Sequence, residues 1–347
     1  MLQSRFEIGL YGFGEALPEP GTGVAISPQQ RMADLLEEAE LADQVGLDVF
    51  GVGEHHRPEM FIANPAVVLA AVASRTRRIR LTSAVSVLGS ADPVRLFQDF
   101  ALLDVVSDGR AEVMVGRGAF VESFPLFGRD VQDSDTLFVE NLELLLQLRN
   151  GGSVTWSGRF RPPLDRASIQ PRPVQEPLPV WVGVGGTPAS ARRAGRLGLP
   201  MAMVLIGGTA QHGLAPLTAF REGAEHAGFG RLPVAVTTHG FVAPSAGSAR
   251  DEFFPHYAGY VNKYFGERGM PPLTRERFER NIDDHSVLVV GSPAQVVDTI
   301  LRHHELFGHC RYLLQTPGSV PHRLVLRSIE LLGTEVAPAV RAELAAP

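Results

Sequence analysis

Short apolar runs alternate along this chain with longer stretches whose apolar residues recur at helical spacing. Runs rich in β-branched and aromatic residues stand at 6–11, 48–53, 79–87, 111–116, 180–182, 201–206, 234–242 and 311–315, and each reads as a strand. Helical segments are expected at 28–45, 64–73, 92–106, 134–148, 188–197, up to about 227, 248–265 and 293–306, with a helical tail from 321. Ser27-Pro28, Asn64-Pro65 and Asp92-Pro93 each set a capping side chain before a proline at the first helical position. Gly46 and Gly109 end the helices that precede them. Eight strand-then-helix units with no repeat and no linker predict one closed parallel (β/α)8 barrel spanning 1–347 as a single α/β domain. An open doubly wound sheet is the architectural alternative.

Three stretches break the alternation. Residues 117–133 read as an active-site loop. Residues 150–179, rich in Gly, Pro and Arg, read as a lid or rim with a small hairpin around Val154-Thr155-Trp156. Residues 267–284 read as an insertion. One helix stands apart: residues 66–73 are apolar around the whole circumference, where an outer barrel helix should show water a polar face. That helix is expected in a subunit interface, that of a two-fold homodimer.

Bulk properties narrow the function classes. A net charge of -6 gives no electrostatic footprint for nucleic acid or an anionic membrane. Cys310 is the only cysteine, which excludes an internal disulfide and a cysteine metal cluster. No apolar segment is long enough to span a bilayer, and residues 1–11 read as a first strand instead of a signal peptide. A cytoplasmic globular protein is expected.

The chemistry gathers where strands end. The run 48–53 delivers Glu54-His55-His56, and a barrel builds its active site from the C-terminal ends of its strands. His55 is the candidate for proton transfer, while His56 reads as a packed or hydrogen-bonded histidine. Gly51 and Gly53 leave room for a close approach to the backbone. Residues 180–182 run into Gly183-Val184-Gly185-Gly186-Thr187-Pro188, which opens a helix. Backbone amides of Gly185, Gly186 and Thr187 at a helix N-terminus suit an anion. Alone, a tight turn that binds nothing explains them slightly better. Arg117, between Gly116 and Gly118, ends the neighbouring strand and has the fork geometry that grips phosphate. A salt bridge to an acid such as Glu122 is its structural alternative. Together the two favour a phosphate-bearing ligand. The small polar end of the third strand, Ser83-Ala84-Val85-Ser86, suits a flat ring against the backbone, or simple packing beneath a loop. A metal site is a further alternative, with Glu54, His55 and His56 joined by His239, Asp283 and His285, although no spacing motif supports it.

These residues together resemble the bacterial luciferase-like, flavin-dependent monooxygenase family, over nearly the whole chain. The resemblance rests on Glu54-His55-His56 with Asn64-Pro65, on 81–95 with Asp92-Pro93-Val94-Arg95, and on Ser107-Asp108-Gly109-Arg110 leading to Gly116-Arg117-Gly118. Pro179-Val180-Trp181-Val182-Gly183, Gly198-Leu199-Pro200-Met201 and Val290-Gly291-Ser292-Pro293 add to it. It implies a (β/α)8 barrel with insertions, often dimeric, with a flavin at the barrel mouth. It implies a catalytic role for His55, a phosphate contact for Arg117, and a non-prolyl cis peptide at Ala84-Val85 against the flavin ring. The chain departs from the pattern after the fifth strand, where Gly185, Gly186 and Thr187 stand in place of acidic and hydroxyl side chains, with Ser190 a weaker candidate. It departs again at Ile206-Gly207-Gly208, which brings no aromatic ring to the flavin.

The expected function is an FMN-dependent monooxygenase that uses reduced FMN from a separate flavin reductase, together with O2 and a small organic substrate. A deazaflavin (F420)-dependent oxidoreductase on the same fold, a non-catalytic flavin-binding relative and a barrel metal hydrolase are the alternatives.

Overall fold

The computed structural model describes residues 5–118, 120–282, 285–317 and 319–345. The first half of the chain forms β1 (Glu7–Gly12), α1 (Pro28–Gln44), β2 (Val49–Val52), α2 (Pro65–Arg75), β3 (Arg80–Ser83), β4 (Ser86–Val87), α3 (Pro93–Val106) and β5 (Ala111–Gly116). Next come α4 (Ser123–Leu126), α5 (Ser134–Asn150), β6 (Ser153–Trp156), β7 (Leu164–Ser168), β8 (Val180–Val184), α6 (Pro188–Arg196), β9 (Met201–Val204) and α7 (Leu214–His226). The chain ends with β10 (Val234–Val242), α8 (Ala246–Tyr264), α9 (Arg275–Arg280), β11 (Val289–Gly291), α10 (Pro293–Phe307), β12 (Arg311–Gln315), α11 (His322–Leu331) and α12 (Ala337–Ala345). The caps read from the sequence are made: Ser27, Asn64 and Asp92 each accept a hydrogen bond from a first-turn amide, with proline at the start of each helix.

The barrel closes. β1, β2, β3, β5, β8, β9, β10 and β12 pair in parallel around a ring, with β10 between β9 and β12 and β12 back against β1. The open-sheet alternative is thereby excluded. Tyr11, Val49, Met114, Trp181, Ala202, Ala235 and Leu313 pack as an interior layer, and a larger apolar cluster fills the space between strands and helices. One end of the ring is plugged by charge. Glu112 is buried between Arg311 and Arg80, Arg311 also reaches Glu7 at 2.7 Å, and its guanidinium lies 4.3 Å over Trp181. These groups come from the first residues of their strands, so the N-terminal end is sealed and the C-terminal mouth is left for chemistry.

Three expectations change. The single strand read over 79–87 is two strands, β3 and β4, separated by Ala84-Val85, whose peptide bond is cis. A further short strand, β11, pairs with the C-terminal part of β10. The 150–179 segment, read as a lid or rim, does form a hairpin, β6 against β7; it lines none of the mouth cavity, but residues 159–161 reach the mouth-end loops at Arg129, Asp133 and Asp92. It follows α5 and precedes β8, and both of those chain ends lie at the sealed end of the barrel. The segment therefore runs over the outside of α3 and α5. Glu140 accepts from the amides of Arg159 and Phe160, Gln98 donates to the Gln170 carbonyl, and Gln175 bonds the buried Asp104. Among the described residues, no helix is long and apolar enough to cross a membrane.

Candidate active site

β2 ends in an acid and two histidines whose side chains part company. The buried Glu54 carboxylate accepts from the Val87 amide at 2.8 Å and meets His56 Nε2 at 2.9 Å. His56 is thus hydrogen-bonded and packed, its ring 5.1 Å from Phe127. His55 turns to a cavity of about 380 Å³ at the C-terminal mouth. Its ring stands edge-on to Phe13 at 4.5 Å and Phe120 at 5.2 Å. Burial above all, then the charges of His56 and Arg57, push its pKa down to about 4. The imidazole is therefore neutral at pH 7. Among the described residues no group hydrogen-bonds its ring nitrogens, which leaves both for a ligand.

The cis dipeptide forms the facing wall. Ala84 donates its amide to the Val52 carbonyl and Val85 accepts from the Glu54 amide, so the pair is pinned to the end of β2. Ala84, Val85, Gly116 and Gly183 all line the cavity. Gly51 and Gly53 serve this packing instead of a ligand: a Cβ on Gly53 would stand 2.6 Å from the Ala84 carbonyl oxygen. Ser83 does not reach the cavity. It is fully buried one residue before the cis pair, and its hydroxyl donates to the Met114 carbonyl at 2.8 Å.

The anion corner lies on the same cavity. Arg117, Gly118, Gly185, Thr187 and Ser190 line it, together with Val204 and Ile206 from the end of β9. Gly186, with φ of 97°, makes the turn but stays off the wall. Thr187 precedes Pro188 at the start of α6 without a side-chain capping bond. Among the described residues, the amides of Gly186, Thr187 and Ala189 have no backbone acceptor, so this helix end retains N–H donors. Arg117 pairs with Asp135 of α5 at 2.5 Å. The salt-bridge alternative is thus realised, with Asp135 as the acid; Glu122, the acid named for it, belongs to Arg57 at 2.8 Å.

Of the remaining wall, only Phe120, in the stretch read as an active-site loop, and Arg268, in the stretch read as an insertion, fall where the sequence pointed. Phe13, Phe120, Phe138, Tyr260, Tyr264, Phe265 and Arg268 complete the cavity. One signal was present: Tyr257, Tyr260 and Tyr264 recur at helical spacing and form one face of α8. His239, weighed as a metal ligand, is buried on β10 with Nδ1 3.3 Å from the Tyr257 hydroxyl. Asp283 lies outside the described residues, and among those described no three His, Cys, Asp or Glu side chains cluster to hold a metal.

A closed parallel barrel with a neutral histidine, a cis dipeptide and an anion corner on one mouth cavity defines a barrel oxidoreductase of the flavin-handling kind. The model of the luciferase-like monooxygenases matches residues 10–310, and the chain belongs to that family. The chain is 30% identical to 4-hydroxyprotoasukamycin monooxygenase of Streptomyces nodosus subsp. asukaensis over 322 residues, 87% of this chain and 85% of that protein. It is 31% identical to an F420-dependent glucose-6-phosphate dehydrogenase of Amycolatopsis mediterranei over 202 residues, 56% of this chain and 60% of that one. Among curated relatives the shared length varies, and the chain spans 58% of an uncharacterized protein of Sinorhizobium fredii to which it is 32% identical. The crystal structure of the monooxygenase RslO1 from Streptomyces bottropensis superposes with a TM-score of 0.83 at 26% identity, covering 96% of this chain and 99% of that one.

Proposed function

We propose that this protein is an FMN-dependent monooxygenase that takes reduced FMN from a separate reductase and oxygenates a small organic substrate with O2. The observation that carries the reading is one cavity bearing His55, Ala84-Val85, Arg117 and the 185–187 turn together. The residues present fit FMN. Val85 packs where a Cβ on Gly116 or Gly183 would stand 2.8 Å from its methyls, so this wall carries few protruding side chains, which suits a flat ring. Arg117 and the free amides at the start of α6 offer charge-assisted bonds to a phosphate.

When bound, reduced FMN supplies the electrons that activate O2. The chain supplies the rest. Arg117 and α6 orient the phosphate, and Ala84-Val85 fix the ring plane. His55, neutral and unbonded, accepts or returns a proton at a ring nitrogen. Phe120 and Phe265 keep water from the reacting edge. Anaerobic titration with reduced FMN, followed by oxygen uptake over a substrate panel, tests the reading. Tight FMN binding without any substrate-dependent oxygen uptake would instead favour a non-catalytic flavin binder.

A second reading, an F420-dependent oxidoreductase, is favoured by the identity shared with the F420-dependent dehydrogenase. Parallel titration with F420 separates the two. The subunit is proposed to pair with a second copy: α2 leaves Val67 exposed and the adjacent α3 leaves Leu102, Val105 and Val106 exposed. Sedimentation at micromolar concentration checks this. A cytoplasmic location is proposed with it.

A further inference from the structure

We propose that the substrate is a planar aromatic compound with a hydrogen-bonding substituent, selected by a belt of rings that Arg57 holds in place; this rests on the flavin-monooxygenase reading of the same cavity. The cavity has two unlike halves. The half assigned to the cofactor is small and backbone-rich: Ala84, Val85, Gly116, Gly183 and Gly185. The half around His55 is built mostly of rings, with the Arg268 guanidinium 5.3 Å over the Phe120 ring.

Those rings are continuous. Phe13 meets His55 at 4.5 Å, His55 meets Phe120 at 5.2 Å, Phe120 meets Tyr264 at 5.9 Å, and Tyr264 meets Tyr260 at 4.8 Å, every pair edge to face. The belt continues behind the wall to His239, 5.2 Å from Tyr260. Aromatic rings carry a negative face and a positive edge, so a belt locked in this geometry recognises another flat ring better than its area alone would. The Tyr264 hydroxyl is buried without a hydrogen-bond partner among the described residues, so the belt keeps one polar point of its own beside the imidazole. The neutral imidazole of His55 is left to receive the polar substituent.

The belt is rigid for a stated reason. The Arg57 guanidinium lies 4.8 Å from the Phe120 ring and 5.4 Å from that of Tyr264. Its nitrogens bond Glu59 at 3.0 Å, Glu122 at 2.8 Å and Glu267 at 2.8 Å. Three carboxylates meet this one cation, so Arg57 does not call for an anionic substrate. It ties the end of β2 to the 117–133 segment and to the turn after α8. A preformed flat slot favours a rigid ring over a flexible chain, which would lose rotational freedom on entry.

The test is equilibrium dialysis of the full-length protein, with and without FMN, against 2-naphthol and trans-2-decalol, which share a carbon skeleton but differ in planarity. The naphthol is expected to bind at least tenfold more tightly, about 1.4 kcal/mol. Phe120→Leu, on a half-buried loop position, is expected to cut that ratio at least threefold without changing FMN affinity, and Tyr264→Leu to do the same. A ratio near one, or a ratio that survives both substitutions, overturns the proposal. Preserved discrimination in a protein that fails to bind FMN rejects the flavin reading and leaves the aromatic slot standing.

Discussion

The side chain of Val85 fills the space that a Cβ on Gly116 would need: such an atom would stand 2.8 Å from Val85 Cγ2. A Cβ on Gly183 would meet the other methyl, Cγ1, at the same 2.8 Å. Valine is stiff at χ1, so neither clash is relieved by a simple rotation. Gly116→Ala is therefore expected to push the cis dipeptide off its position against the cofactor. The cost in stability is about 1–3 kcal/mol, as for other overpacked sites. Flavin affinity should fall at least tenfold, read by fluorescence titration. Unaltered affinity would show that the Val85 surface is not the flavin wall.

His55 should define the acid limb of the rate profile. Burial pushes its pKa down to about 4, where an ordinary histidine titrates near 6.5. A reaction that needs the neutral imidazole then holds its rate from pH 7 down to about 5 and loses it only below that. His55→Ala should keep flavin binding and lower kcat by about 10²–10⁴-fold, the usual range for a lost acid–base group. Turnover equal to the parent's would remove His55 from the chemistry.

Arg117 separates two flavins that differ only in phosphate. A hydrogen bond to a charged group contributes about 1.5–3 kcal/mol. Arg117→Ala should thus weaken FMN binding by about ten- to a hundredfold and leave riboflavin binding nearly unchanged. An equal loss for both ligands would place the arginine against the ring instead of the phosphate.

Strand and helix positions were legible because each barrel strand is an apolar run bounded by capping pairs such as Asn64-Pro65 and Asp92-Pro93. His55 and Arg117 were legible because they stand just past such runs, and Thr187 because it follows a glycine turn and precedes Pro188. The aromatic half of the cavity was not. Tyr260 and Tyr264 recur at helical spacing, which reads equally well as core, and Phe120 is marked only by the reading of 117–133 as an active-site loop. The tie that gathers them, Arg57 to Glu267, joins residues 210 positions apart. The lid half of the reading of 150–179 fails for a different reason. Its composition suits a lid, and composition does not show where a segment starts and ends on a barrel. The order of α5, then the segment, then β8 does.

Arg57 is a positioning residue, and its loss should be felt in selectivity as well as stability. Arg57→Gln leaves Glu59, Glu122 and Glu267 facing one another around a neutral amide. The naphthol-to-decalol binding ratio should drop at least threefold. A plain loss of stability would not do this, so Val340→Ala, which removes buried packing from α12 at a cost of about 2 kcal/mol, serves as the control. That control should melt earlier with its ratio intact. Equal ratios in the two variants would reduce Arg57 to a structural tie.

His322 gives the protein an alkaline stability limit. It stands at the start of α11 against acids of α1, 2.9 Å from Glu37 and 3.6 Å from Glu38. The Glu38 and Glu37 carboxylates raise its pKa to about 9. A histidine raised in the folded state contributes stability that is fully present below its unfolded value near 6.5 and lost as pH rises through about 9. The side chain is about a quarter exposed, so solvent screening holds the contribution to about 1 kcal/mol. On the acid side the slope reverses. His239 and His303 are pushed down to about 4 by burial, so unfolding takes up protons there and stability falls between pH 6.5 and 4. Urea midpoints at pH 6, 7.5 and 10 check the alkaline arm. His322→Gln should lie below the parent at pH 6 and meet it by pH 10, while both lose stability alike toward pH 4. A gap between them that stays constant with pH would mean that His322 acts by packing and carries no charge in the fold.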